Sequence, residues 1–342
     1  MRVISKLTQA IYAVIISFVA ASRVLAGDPG SLPSSSSAIS DQLAGSVLVY
    51  NYYTSDASAG TGNPGYNTKF SITNTSSTLP AFVHIFFVSE SCSPADYHLC
   101  LSPNMTSSHL VSELDPGING YIVVIAEDGN TGWPVSHNFL TGDEYMRFPS
   151  GQNTISATLN AEAFSAIFSG RMPGFNPTVA AAVLNFSGES SGYNRAPAVL
   201  ALSNLPSRAD QNETMIIINR FGGNLTDSAF SLPRLTGLLY DDKETSFSFS
   251  LAPGSCQKKL ILTDQEPRTA PRLSAIIPAR RSGWMKLSVQ SGDAAILGSM
   301  INSNPNSLSQ ADVFNGGHNL HKLSLTRVSV AVTIPVFPTG CD

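Results

Sequence analysis

From residue 46 onward the chain is written in short apolar or alternating runs of four to nine residues, cut by Gly, Pro, Asn, Asp and Ser. SVLVYNYYT, TKFSIT, AFVHIFFV, GYIVVIA, TMIIIN, GLLY, KLILT, LSAIIP and SVAVTIPVF are the clearest. Runs of this length, rich in Val, Ile, Phe and Tyr, suit strands and are short for helices. SFSFS at 246–250 alternates as a half-buried strand does. The best helical candidate is LNAEAFSAIF at 159–168, and it is short. Charged residues make up only 13% of the chain against 42% hydrophobic, which excludes a disordered polyelectrolyte. A net charge of −4 argues against a general nucleic-acid partner, since such domains are usually basic. With 342 residues the chain exceeds what one hydrophobic core comfortably serves. The expected fold is therefore all-β, as two tandem β-sandwich domains of Ig-like or jelly-roll-like type.

A weak internal repeat supports that division. Val47-Leu48 matches Val199-Leu200, Asn67-Thr68 matches Asn212-Glu213, Leu101 matches Leu251, and Gly120-Tyr121 matches Gly283-Trp284, in the same order. A duplication is expected, with domain 1 at 44–192 and domain 2 at 193–342, the boundary lying in GESSGYNRAP. Charge splits there too. Residues 27–193 carry three basic side chains against thirteen acidic, and residues 194–342 carry fourteen against eleven. Either the two surfaces drifted, or opposite fields draw the halves together, within one chain or head to tail between copies.

The N-terminus reads as a secretory signal peptide, residues 1–26. Arg2 and Lys6 precede the apolar stretch Ala10–Ala21, and Val24-Leu25-Ala26 offers a cleavage site before Gly27. Ser22 and Arg23 end the run short of the roughly 20 residues that cross a bilayer. Residues 27–43 are Ser- and Pro-rich, a flexible leader. The mature chain is expected to be secreted, periplasmic or extracellular, with no membrane span. Four cysteines in an oxidising destination point to disulfides. Local closure favours Cys92–Cys100 and Cys256–Cys341.

Catalytic patterns are weak. Gly188-Glu189-Ser190-Ser191-Gly192 satisfies G-x-S-x-G, but no helical start follows, so the nucleophile elbow is not expected. His318 and His321 lack a third ligand of zinc-site spacing, and His84, inside AFVHIFFV, reads as a core or interface residue. Asp241, Asp242 and Glu244, like Glu127 and Asp128, do not follow the twelve-residue calcium loop. Asp143-Glu144 is ambiguous. Tyr50, Tyr52, Tyr53 and Tyr121 could line a sugar-binding face, although strand aromatics usually pack cores. Five Asn-x-Ser/Thr triplets carry no weight. The basic concentration Lys258, Lys259, Arg268, Arg272, Arg280, Arg281 and Lys286 surrounds Trp284. Within it, Arg268, Arg272, Arg280 and Arg281 form the candidate surface for an anionic partner.

No catalytic, cofactor-binding or metal residue is assigned, and no cofactor is expected. The function expected is that of an exported, non-enzymatic structural or binding module. Its partners would be a second copy joined head to tail, a surface glycan or an envelope component. The alternative is an extracellular carbohydrate-active or other hydrolase whose carboxylates the sequence hides.

Overall fold

The strand β1 (Val47–Thr54) is buried along its whole length. Alternate residues serve two different cores: Leu48 and Tyr50 face one, Val47 and Val49 the other, and Tyr53 joins the first after a bulge between Tyr50 and Tyr53. A strand covered on both faces must sit between packed layers. The computed structural model describes Ser31 and residues 39–55, 65–150, 153–304 and 315–338. The signal-peptide reading of residues 1–26 lies outside the described residues. Of the stretch read as a leader, Ile39 is buried in a core and Ser40 bridges Ala163.

The chain is all-β, but the expected pair of tandem β-sandwiches is not what it forms. Five small sheets are present among the described residues, in number and size the five blades of a β-propeller. Each is assembled from distant segments, unlike a meander blade. The first runs β4 (Pro94–Leu101), β3 (Ala81–Ser89), β6 (Asn119–Glu127), β1 and β9 (Glu162–Phe164). The second runs β5 (Thr106–Leu110), β2 (Asn67–Asn74), β7 (Leu140–Ser150) and β8 (Asn153–Asn160). A third is ordered β16 (Ser246–Leu251), β15 (Leu235–Tyr240), β18 (Ser282–Val289), β11 (Pro197–Pro206) and β21 (His321–Leu325). The fourth contains β17 (Gln257–Ile261), β12 (Glu213–Arg220), β19 (Ile296–Ser303) and β20 (Gly316–Asn319). The connection scheme of the first two recurs in the third and fourth, down to a bulge in β1 between Tyr50 and Tyr53 and in β11 between Leu202 and Leu205.

The fifth sheet takes strands from both halves of the chain. It joins β10 (Ala181–Phe186) to β22 (Val330–Pro335), β13 (Gly223–Asn224) and β14 (Ser228–Ala229). β10 precedes the expected boundary, yet its partner is β22, far along in the second half. One core then draws on both halves. Phe164 stacks on Phe221 with centroids 5.1 Å apart, and Phe186 meets Phe221 edge-on at 4.7 Å. Offset and edge-to-face pairs of this kind add to what area burial alone contributes.

Polar groups cross the same joint. Asn51 Nδ2 donates to Asn319 Oδ1 at 2.9 Å, Asn219 Nδ2 donates to the Asn51 carbonyl at 2.7 Å, and Gln257 Nε2 donates to Asn219 Oδ1 at 2.8 Å, all buried. Buried amides that hydrogen-bond one another favour one docking geometry. Among the described residues, two ion pairs link the acidic half to the basic half: Lys259 to Glu90 at 2.5 Å and Lys322 to Glu162 at 3.0 Å.

The disulfide pairing also differs from expectation. Cys92 bonds Cys256, 164 residues away, and not Cys100, so Cys256 is not left for Cys341. Cys100 is disulfide-bonded too, and Cys341 lies outside the described residues. The helix expected at 159–168 is absent: Leu159 and Asn160 end β8, and residues 162–164 form β9. LSAIIP contributes a one-turn helix, Leu273–Ile276, instead of a strand.

Candidate ligand-binding cavity

An open cavity of about 700 Å³ lies where β11, β20 and β21 meet the segment around Asp41. The bulge in β11 sets its rim, because an unpaired residue bends a strand and re-aims its side chains. Ser203 and Asn204 occupy that bulge, Asn204 with φ of 54°. Asn tolerates the left-handed region better than most residues. Opposite them, the ladder breaks at buried Leu320, between β20 and β21. The break matters for the two histidines. On one continuous strand His318 and His321 would face opposite ways; here both line the cavity, ring centroids 6.1 Å apart.

His321 Nε2 lies 3.2 Å from Ser203 Oγ. Burial holds the His318 imidazole below its ordinary range, with His321 adding to the effect and Asp41 opposing it. His318 is therefore neutral at physiological pH, with one nitrogen to donate and one to accept. The floor is rigid. Asn319 Nδ2 donates to the Asn160 carbonyl at 2.7 Å and to Asp41 Oδ2 at 3.3 Å, while its Oδ1 accepts from Asn51. Lys322 reaches beneath, into its ion pair with Glu162. Burial raises the Glu162 carboxyl, and Lys322 pulls it back down.

Elsewhere the sequence-derived candidates resolve plainly. Arg268, Arg272, Arg280 and Arg281 are all exposed; Arg281 pairs with Asp242, and the Arg280 amide donates to Asp210 Oδ2 at 2.7 Å. Trp284 stacks flat on Tyr240, 3.8 Å between centroids. Tyr50, Tyr52, Tyr53 and Tyr121 are buried and form no sugar-binding face. Asp241 caps its own turn, accepting from the amides of Lys243 and Thr245. Asp128 accepts from the Asn130 and Thr131 amides and pairs with Arg171. Ser190 sits in an exposed turn between β10 and β11 with no helix after it. Glu144 is wholly buried; burial, with Asp143 adding to it, pushes its carboxyl far up against the Tyr52 amide.

One cluster was not legible in the sequence. His84 on β3, Asp96 and His98 on β4, and Glu127 at the end of β6 converge on one face of the first sheet. The signal that could have found it is the hairpin register, which sets His84 directly opposite His98.

No protein-family model matches the sequence, and no curated protein matches it. Among solved structures, the crystal structure of Thermotoga maritima 1070 aligns over 35% of this chain and 95% of its own, at 13% identity and a TM-score of 0.28. Broad Bean Stain Virus aligns over 94% and 96% at 8% identity and a TM-score of 0.14. A Pleurotus ostreatus lectin aligns over 92% and 87% at 11% identity, also with a TM-score of 0.14. These overlaps are too loose to carry a functional argument.

Proposed function

We propose that the chain is an exported, non-enzymatic binding module that takes a polar, hydroxyl-rich ligand such as a surface glycan. The observation that carries this reading is the cavity beside the β11 bulge. Asp41, Gln42, Ser203, Asn204, His318 and His321 bring donors and acceptors to one open space of roughly the size of a small-molecule site. Hydroxyl-rich ligands need such a mixture, because each hydroxyl both donates and accepts. Export rests on the charge and hydropathy pattern of residues 1–26.

Titration of the secreted chain with soluble neutral, N-acetylated and uronic-acid oligosaccharides tests the reading. At least one class should bind, and the double variant Asn204→Ala/His321→Ala should weaken it at least tenfold. Absence of binding by every class, or binding indifferent to the variant, overturns it. The 3.2 Å contact between Ser203 and His321 favours a second reading, a hydrolase with Ser203 as nucleophile. A triad needs a carboxylate to orient the imidazole, and no such hydrogen bond to His321 is present among the described residues. Product release in the same titrations, abolished by Ser203→Ala, would replace the binding reading with this one.

A further inference from the structure

The cluster of His84, Asp96, His98 and Glu127 is independent of the cavity. β3 and β4 form a hairpin in which His84 faces His98 and Phe86 faces Asp96. Residues two apart on a strand share a face, so His84, Asp96 and His98 project from the same side of the sheet. Glu127, paired with Phe82 on the neighbouring strand, joins them there. His84 Nε2 lies 3.0 Å from Asp96 Oδ2. On the other side Glu127 reaches both rings, at 3.6 Å from His84 Nδ1 and 3.1 Å from His98 Nε2. The imidazoles stack at 3.9 Å, and Phe337 packs edge-on against both.

Burial makes this arrangement informative. Glu127 and His84 are completely enclosed, whereas the Asp96 side chain is 44% exposed. Neither oxygen of Glu127, nor His84 Nδ1, nor His98 Nε2 makes a well-formed hydrogen bond. Buried polar atoms without hydrogen-bond partners are unfavourable, and an ion held between them would give them partners. One donor atom each from His84, Asp96 and His98 already lies within 4.8 Å of the others. A tetrahedral ion bound at about 2.0–2.2 Å holds its ligand atoms about 3.3–3.6 Å apart, so the widest pair here would have to close by up to about 1.5 Å on binding.

We propose that His84, Asp96 and His98 bind a divalent transition-metal ion of the zinc class, with Glu127 as the carboxylate that orients both imidazoles. Two imidazoles and a carboxylate suit zinc better than calcium or magnesium, which prefer all-oxygen shells. Glu127, 3.6 Å from His84 Nδ1 and 3.1 Å from His98 Nε2, is placed to accept an N–H from each ring once the rings turn onto the ion, which would leave His84 Nε2, beside Asp96, with its lone pair toward the metal. Phe337 shields the rings, and the exposed edge at Asp96 supplies the entry path. Three protein ligands leave a coordination position for water.

The full secreted chain, stripped with chelator and dialysed, is titrated with zinc chloride by calorimetry and with cobalt(II) chloride by visible absorption. One equivalent should bind, with a cobalt spectrum of low coordination number and no thiolate charge-transfer band. Asp96→Asn and His98→Gln alter the more accessible ligands and should each weaken binding at least tenfold while the far-ultraviolet circular dichroism stays unchanged. Glu127→Gln, which leaves the ligands in place, should cost about 10–100-fold. Failure of the wild-type chain to bind either metal overturns the proposal. So does binding that survives both Asp96→Asn and His98→Gln, which would locate the ion elsewhere.

Discussion

Replacing Lys322 by Met isolates the energetics of the joint beneath the cavity. Lys322 Nζ sits 3.0 Å from Glu162 Oε1, with the two side chains 16% and 1% exposed. At an effective dielectric constant near 20, that separation corresponds to a gross attraction of about 5–6 kcal/mol. Most of it offsets the desolvation of two charges, so the pair itself adds little net stability. Removing one partner is different, because the other is left enclosed and uncompensated, at a cost of about 3–5 kcal/mol. The slight exposure of Lys322 places the expectation for Lys322→Met at about 3 kcal/mol at pH 7.

The pH dependence gives the sharper test. Glu162 is already raised from its ordinary 4.5 by burial, against the pull of Lys322. Without that pull it rises further, so the folded variant holds its proton more tightly than the unfolded chain does. Stability then falls as pH rises from about 4.5 toward the folded value, by at most about 1.4 kcal/mol per pH unit. The penalty of Lys322→Met should be small at pH 4 and full at pH 8. Adding Glu162→Gln should flatten the profile and recover most of the loss. Urea unfolding of the two variants and the wild type between pH 4 and 8 measures all of this. A penalty below about 1 kcal/mol that ignores pH would mean the pair behaves as a solvated surface bridge, and the argument for a buried joint would fail.

Cys92 and Cys256 close a loop of 164 residues, for which chain entropy alone gives about 5 kcal/mol, so Cys92→Ala/Cys256→Ala should be strongly destabilised in chemical denaturation. Non-reducing peptide mapping should recover the Cys92–Cys256 fragment, and a Cys92–Cys100 fragment would refute the pairing. Glu144→Gln should stabilise the protein at pH 8 and leave it unchanged at pH 4. Its carboxyl is pushed far above 4.5 by burial, so the wild type loses stability as pH rises through that window; equal thermal midpoints at pH 8 would contradict this.

What the sequence disclosed and what it hid have one physical boundary. Val, Ile and aromatic runs announced β1, β2, β3, β6, β12 and β22 because strand periodicity is local. Residues 159–168 are the best helical candidate in the sequence, yet Glu162 lies in strand β9. Its role is set by Lys322, 160 positions away, and no local pattern reports that. The cysteines misled for a related reason. Short loops close at the lowest entropic cost in an unfolded chain, so Cys92–Cys100 looked natural. Pairing in the folded chain follows proximity instead, and the turn after β3 lies against the start of β17. That misreading also concealed the histidine cluster. A bridge from Cys92 to Cys100 would make residues 92–100 a closed loop, whereas Pro94–Leu101 is a strand running antiparallel to β3. Once the turn at 90–93 is taken as the tip of a hairpin, the ladder that pairs Val88 with Pro94 must also pair Phe86 with Asp96 and His84 with His98. A one-residue slip would send Asp96 and His98 to the opposite face. The register of a single hairpin therefore decides whether this chain has a metal-binding face.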